Sequence, residues 1–219
     1  MNAPLLQVAL DFLDLDRAMA CAEAVAGEVD ILEVGTPLLK SAGVEAIRRL
    51  KARFPRKLVF ADTKTMDAGA LEAALVFDAG ADIFSLCSAA SHLTIMAGMR
   101  EAHARGKLAL IDLIGVEDIL EAALRLEGLR PDYVCFHMGI DQQEVEGRFS
   151  VKGLAMLQRR LALPLVVAGG ITPADVPEMI SLDPTVIVVG AYITANPDPV
   201  QAARQVRQAL AAAAQRTEE

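Results

Sequence analysis

Eight times along the chain a short apolar run, rich in β-branched residues, gives way to a longer stretch of helical periodicity. That alternation limits the possible folds more than any other feature. The runs read as strands cover residues 6–10, 30–34, 58–62, 82–87, 108–113, 133–137, 165–168 and 186–189. The helical stretches cover residues 15–26, 44–53, 68–79, 93–105, 116–127, 151–161, 173–181 and 199–214. Strands of nearly continuous apolar content belong to a parallel sheet covered on both faces. Eight βα units in 219 residues predict an α/β protein, a single-domain (β/α)8 TIM barrel over residues 1–219. An open doubly wound sheet is the alternative. No Pro/Gly/Ser-rich linker or block of charge suggests a domain boundary.

Charge and composition narrow the function classes. The basic residues are dispersed and the formal net charge is −8, so the basic stripe that nucleic acid requires is missing. Only 4% of residues are aromatic and there is no Trp, which argues against stacking platforms. No apolar run approaches the roughly 18 residues of a transmembrane helix. Met1-Asn2-Ala3-Pro4 has no charged region followed by a long apolar stretch. The expectation is a soluble cytoplasmic protein that binds neither nucleic acid nor membrane. Cys21, Cys87 and Cys135 are odd in number and widely spaced; they read as buried reduced thiols.

Barrel enzymes build their sites at the C-terminal ends of the strands, and the polar residues gather there. The first strand ends in Asp11, the second runs into Glu33 and the third ends in Asp62, with Lys64 and Asp67 close behind. The fifth reaches Asp112 and the sixth ends in His137. Alternation along a strand puts Leu58, Phe60, Asp62 and Lys64 on one face if the third strand extends that far. One carboxylate at a strand end can simply cap the next helix. Asp11, Glu33, Asp62, Asp67 and Asp112 on one rim repel one another and call for a cation. Oxygen ligands suit Mg²⁺. Gly169-Gly170 after the seventh strand and Gly190-Ala191 after the eighth stand where barrels often hold a phosphate, because glycine lets the backbone approach closely. His137 reads as a catalytic or ligand residue, whereas His92 and His103 read as surface residues.

Asp62-Thr63-Lys64-Thr65-Met66-Asp67 matches the Asp-x-Lys-x-x-Asp motif of the orotidine 5′-phosphate decarboxylase superfamily. The chain resembles that superfamily over nearly its whole length. Leu6-Gln7-Val8-Ala9-Leu10-Asp11, Glu33-Val34-Gly35-Thr36-Pro37 and Met66-Asp67-Ala68-Gly69 look like its metal-dependent branch, that of the hexulose-phosphate synthases and the keto-gulonate-phosphate decarboxylases. Decarboxylating members typically have Glu at the position of Asp112, Arg at Ile140, Thr at Ala168 and Arg at Ala191. All four positions here look synthase-like, as do Leu113-Ile114-Gly115-Val116 and His137-x-Gly139-x-Asp141 with Gln143. Met138 departs from the Thr common in synthases.

The resemblance implies a lyase that adds formaldehyde to D-ribulose 5-phosphate, reversibly, through a 1,2-enediolate. Decarboxylation of a 3-keto-hexonate 6-phosphate is the alternative, and a barrel that binds a sugar phosphate without turnover is a third. It also implies roles: Glu33 and Asp62 as Mg²⁺ ligands, Lys64 stabilising the enediolate, and Asp67 holding Lys64 and a substrate hydroxyl. His137 would move the C1 proton, and Asp11 and Asp112 would order hydroxyls or water. Gly170, Gly190 and Ala191 would offer amides to the phosphate. In this superfamily the second motif Asp reaches the neighbouring subunit's site, so the resemblance implies a homodimer with shared sites.

Overall fold

The structure, a computed structural model, describes residues 3–146 and 163–216. Its strands are β1 (Leu5–Leu10), β2 (Ile31–Val34), β3 (Leu58–Thr65), β4 (Ile83–Cys87), β5 (Leu108–Asp112), β6 (Tyr133–His137), β7 (Leu165–Ala168) and β8 (Val186–Val189). Each pairs in parallel with the next, and β8 returns to β1 through Leu5↔Val186 to Val8↔Val189. The sheet is therefore a closed eight-stranded barrel, and the open-sheet alternative falls.

The described helices are α1 (Leu15–Val25), α2 (Thr36–Ala42), α3 (Glu45–Arg53), α4 (Gly69–Asp78), α5 (His92–Ala104), α6 (Ile119–Glu127), α7 (Ile140–Glu146), α8 (Val176–Ile180), α9 (Ala191–Thr194) and α10 (Pro199–Arg216). Side-chain caps start several of them. Asp14 accepts from the Arg17 amide, Ser91 from Thr94 and Asp118 from Glu121, each satisfying an amide that the first turn leaves open. Three helices go beyond the pattern: α2, α7 and α9 have seven, seven and four residues, too short to show a period. The helix expected at 151–161 lies outside the described residues.

Alternation along the strands divides the core in two. One side chain set, including Leu6, Val8, Leu32, Val59, Phe84, Ile111, Val134, Val167 and Ile187, packs outward against the helices. Truncating one of these buried leucines costs about 2–5 kcal/mol. The other set fills the barrel interior: Ala9, Ile31, Phe60, Ile83, Leu110, Cys135, Val166 and Val186 among them. Cys21, Cys87 and Cys135 are buried free thiols, as expected. None of the described helices is long and apolar enough to cross a membrane.

The foot of the barrel is tied by carboxylates just ahead of even-numbered strands. Asp30 accepts from the Leu6 amide, Asp82 from Val59 and Asp132 from Ala109. Asp82 also meets Lys51 Nζ at 2.6 Å and Lys107 Nζ at 2.7 Å. Burial alone would raise its carboxyl, but bonds from Lys107, Lys51 and the Val59 amide outweigh that and hold it below the usual range. These residues anchor the end opposite the site and leave the other rim for polar side chains of a different kind.

Candidate active site

Towards the C-terminal ends of the strands the barrel interior changes from apolar to polar. Gln7, Glu33, Asp62, Ser85 and Asp112 are all buried there, and His137 is partly so. They share the barrel interior with its apolar residues and lie beside or in the wall of a cavity of about 790 Å³. Asp11, Glu33, Asp62, Lys64, Asp112, His137, Gly170, Gly190 and Ala191 all line that cavity, so the structure brings together nine of the residues singled out from sequence. Asp67 is the exception. It is exposed, accepts from the Ala68 amide at 2.7 Å and is not part of the cavity wall. Of the five carboxylates expected on one rim, four line the cavity in this chain; Asp67 lies outside it, on the turn that leads through the left-handed Ala68 (φ 52°) into α4.

The polar groups form a chain of opposite charges. Lys64 Nζ donates to Asp62 Oδ2 and to Asp112 Oδ2, both at 2.9 Å. His137 Nδ1 lies 2.9 Å from the same Asp112 Oδ2, and Asp112 Oδ1 accepts from the Ile114 amide at 2.9 Å. Burial opposes a charge on Lys64, but Asp62 and Asp112 outweigh it and raise its pKa well above that of an ordinary lysine. Burial likewise opposes the Asp112 carboxylate, and the bonds and charges of His137 and Lys64 hold its pKa below the usual value. With Asp112 ionised, Nδ1 of His137 is the donor in that bond. When the ring is neutral, Nε2 then carries the lone pair.

The other acidic groups have no such partner. Glu33 is pushed well above the carboxylate range by burial, then by the charges of Asp62 and Asp11; Gln7 Nε2 donates to its Oε2 at 2.6 Å. Asp11 opens to solvent through the cavity, yet surrounding protein atoms and the Asp62 charge raise it too. Asp11 also depends on a close backbone approach, since a Cβ on Gly35 would lie 2.0 Å from its Oδ1. Asp62 is held on three sides: Thr36 Oγ1 donates to its Oδ2 and Ser85 Oγ to its Oδ1, both at 2.8 Å, besides the Lys64 bond.

Glu33 and Asp62 together at the floor, with Glu33 pushed up first by burial and then by the neighbouring Asp62 and Asp11 charges, fit a hard divalent cation. Glu33 and Asp62 supply oxygen donors of the kind Mg²⁺ takes, leaving coordination positions for water and substrate oxygens. Asp112, Cys135 and His137 also bring one ligand atom each within 4.8 Å of one another. They fit less well: the Lys64 ammonium already occupies Asp112, and burial pushes the Cys135 thiol up and keeps it protonated.

β3 reaches this arrangement irregularly. The expected strand 58–62 runs on to Thr65, but its register against β4 shifts between Ala61 and Thr65. Lys64 adopts φ 47°, a left-handed conformation costing a non-glycine residue roughly 1–2 kcal/mol. Phe60, Asp62 and Lys64 all line the cavity, as alternation predicts, though through a bulge rather than a regular strand. At the opposite wall Gly170 has φ 63°, and a Cβ there would lie 2.5 Å from Gln143 Oε1. Gln143 Nε2 in turn donates to the Met138 carbonyl at 2.7 Å, tying α7 to the end of β6.

Residues 4–206 match the sequence profile described as the orotidine 5′-phosphate decarboxylase / HUMPS family. The chain belongs to that family. Among curated members it is 40% identical to 3-hexulose-6-phosphate synthase of Mycobacterium gastri, covering 94% of this chain and 99% of that one. Among solved structures it matches 3-hexulose-6-phosphate synthase of Salmonella typhimurium with a TM-score of 0.91 at 40% identity, covering 95% and 99% of the two chains. It also matches 3-keto-L-gulonate-6-phosphate decarboxylase of Vibrio cholerae, with a TM-score of 0.86 at 27% identity and coverage of 96% and 99%. The protein is thus a lyase-type enzyme of the orotidine 5′-phosphate decarboxylase / HUMPS family. Sequence reasoning missed Gln7, Thr36 and Ser85 as contributors to its site. The available signal was a polar residue inside an apolar alternation: Gln7 between Leu5 and Ala9, Ser85 between Ile83 and Cys87.

Proposed function

We propose that this enzyme is a 3-hexulose-6-phosphate synthase, joining formaldehyde to C1 of D-ribulose 5-phosphate in a reversible, Mg²⁺-dependent aldol addition. The observation that carries the reading is the continuous chain Asp62–Lys64–Asp112–His137 on the cavity wall, beside Glu33. A proton α to a ketone is too weakly acidic to leave unaided. It needs a base near neutral pH and positive charge where oxyanions form.

His137 Nε2 takes the C1 proton, while Asp112 holds the ring and stabilises the imidazolium. The Lys64 ammonium faces the developing enediolate. Carbon C1 of the enediolate then forms a bond to the formaldehyde carbon, and the proton held by His137 returns to the new alkoxide. Gly170, Gly190 and Ala191 present backbone amides to the phosphate, and Asp11 orders a substrate hydroxyl. Mg²⁺, held by Glu33 and Asp62, supplies Lewis-acid polarisation of the substrate carbonyl when bound.

Decarboxylation of a keto-acid phosphate uses a similar enediolate. What favours addition is the wall: Ile140 and Ala191 line the cavity where decarboxylases are expected to have arginines, and its cations among the described residues are Lys40 and Lys64. The identity of 40% to the synthases against 27% to the decarboxylase points the same way. Incubation with formaldehyde, ribulose 5-phosphate and Mg²⁺ is expected to consume formaldehyde. EDTA abolishes this and Mg²⁺ restores it. CO₂ release from a 3-keto-hexonate 6-phosphate without formaldehyde consumption would reverse the order of the two readings. Full activity in a rigorously metal-free preparation would remove the metal from the mechanism.

The enzyme acts as a cytoplasmic homodimer with shared sites. Asp67 is exposed and outside its own chain's cavity, and near it Met66, Leu71, Leu75 and Leu93 leave large apolar side chains in solvent on α4, α5 and the turn before α4. A second copy would cover that flank and bring Asp67 to the partner's cavity. Mixing two inactive variants, Asp67→Ala and His137→Ala, restores activity after subunit exchange, because each mixed dimer regains one intact site. No recovery despite proven exchange would assign Asp67 to its own subunit or to none.

A further inference from the structure

We propose that Ser85, a buried side chain outside the cavity wall, is the positioning residue that holds both Asp62 and Lys64 in working geometry. The inference rests on the proposed function for what those two residues do. Its own ground is the β3–β4 register. Ala61 pairs with Phe84 and Thr65 with Leu86, so Asp62, Thr63 and Lys64 face the single residue Ser85. A regular parallel ladder cannot satisfy three residues against one, and Ser85 takes over the bonding.

Its hydroxyl does two things at once. It accepts from the Lys64 amide at 2.9 Å and donates to Asp62 Oδ1 at 2.8 Å. Its carbonyl accepts from Thr63 Oγ1 at 2.5 Å, and the next inward residue, Cys87, donates from Sγ to the Lys64 carbonyl at 3.4 Å. Every residue of the bulge is therefore stitched to Ser85 or Cys87 by side-chain bonds. A left-handed lysine persists only where its surroundings over-determine it, and the bond to the Lys64 amide is the part of those surroundings that depends on one oxygen. The same oxygen fixes the plane of the Asp62 carboxylate. It leaves Oδ2 turned to Lys64 and Thr36.

Ser85 is fully buried and does not line the cavity, so it acts through Asp62 and Lys64 and not on substrate. Partners that orient a ligating carboxylate are worth roughly 10–100-fold in metal affinity or activity. The hydroxyl, not the volume, carries this role. Thr keeps the oxygen, and Ala removes it with the least disturbance of packing.

The test reads three things on the parent, Ser85→Ala and Ser85→Thr. Amide hydrogen exchange at Lys64 reports the bulge. Mn²⁺ affinity, measured by electron paramagnetic resonance without substrate, reports Asp62. Solvent exchange of the C1 proton of ribulose 5-phosphate reports catalysis. Ser85→Ala is expected to lose protection at the Lys64 amide, to bind Mn²⁺ roughly 10–100-fold more weakly and to slow C1 exchange by at least as much. Ser85→Thr retains most of all three. Should Ser85→Ala not accumulate as folded protein, Ser85→Cys refills the volume with a weak donor and carries the same expectation. An Ala or Cys variant that melts lower but keeps parental Mn²⁺ affinity and C1 exchange overturns the proposal, as does a folded Thr variant no better than Ala. A parent that binds no Mn²⁺ and exchanges no C1 proton would instead bring down the proposed function.

Discussion

A His137→Asn variant folds like the parent and exchanges the C1 proton of ribulose 5-phosphate roughly two to four orders of magnitude more slowly, the usual worth of a general base. The expectation follows from the position of the ring. Asp112 is ionised and 2% exposed, Nδ1 donates to it at 2.9 Å, and Nε2 is left to serve as base. Asparagine can still offer an N–H towards Asp112 but has no basic nitrogen. Folding survives because Asp112 keeps the Lys64 ammonium and the Ile114 amide, so no buried charge is left without a partner. The proposed phosphate grip should also survive, since Gly170 and Gly190 belong to the segments after β7 and β8, not to β6. Thermal melts with and without substrate phosphate, together with deuterium incorporation followed by NMR, separate the outcomes on one sample. Lost stability with unchanged exchange in the folded fraction would make His137 a packing residue. A stable variant exchanging at the parental rate would turn attention to Asp112 acting through a water.

The barrel was legible because its strands are nearly continuous runs of Val, Ile, Leu and Ala, and the eight found differ from the eight expected by little at most ends. The charged rim was legible because strand ends and charge coincide. What escaped depends on contacts between distant residues. Nothing local to Asp62-Thr63-Lys64 encodes a left-handed lysine; the register shifts there, and the oxygen that accepts from the Lys64 amide belongs to Ser85, more than twenty positions away. Asp67 follows Lys64 by three positions, and spacing alone puts it on the same rim. In the structure it lies outside the cavity, on the turn into α4. Gln7 is the one polar residue of β1, and only the assembled barrel brings its amide to Glu33 at 2.6 Å. Gly35 marks a tight approach to Asp11 that only the assembled barrel reveals.

Lys64→Ala is expected to lower turnover by about 10²–10³-fold or more, the loss seen when one donor to a developing oxyanion is removed. Unlike His137→Asn, it also destabilises the fold. The side chains of Lys64, Asp62 and Asp112 are only 23%, 10% and 3% exposed, so removing the ammonium leaves two carboxylates facing each other with little solvent between. Breaking a buried pair from one side costs on the order of 3 kcal/mol, or roughly 6–12 °C in Tm for a chain of this size. Asp62 keeps Ser85 and Thr36, and Asp112 keeps His137, which is why the variant still folds at moderate temperature. The pH dependence separates this charge from a lysine that works as a base. Because the pKa of Lys64 is raised in the folded state, its stabilising contribution is fully present below the unfolded lysine value of about 10.4. It is lost only as pH climbs through the higher folded value. The parent should therefore show no loss of stability through Lys64 anywhere between neutrality and about pH 10. Adding a small alkylammonium ion to Lys64→Ala supplies the missing charge, and both Tm and C1 exchange should rise with its concentration. A variant that keeps the parental melt and the parental rate, with no response to added amine, would show that the Asp62–Lys64–Asp112 chain neither holds the site together nor supports its chemistry.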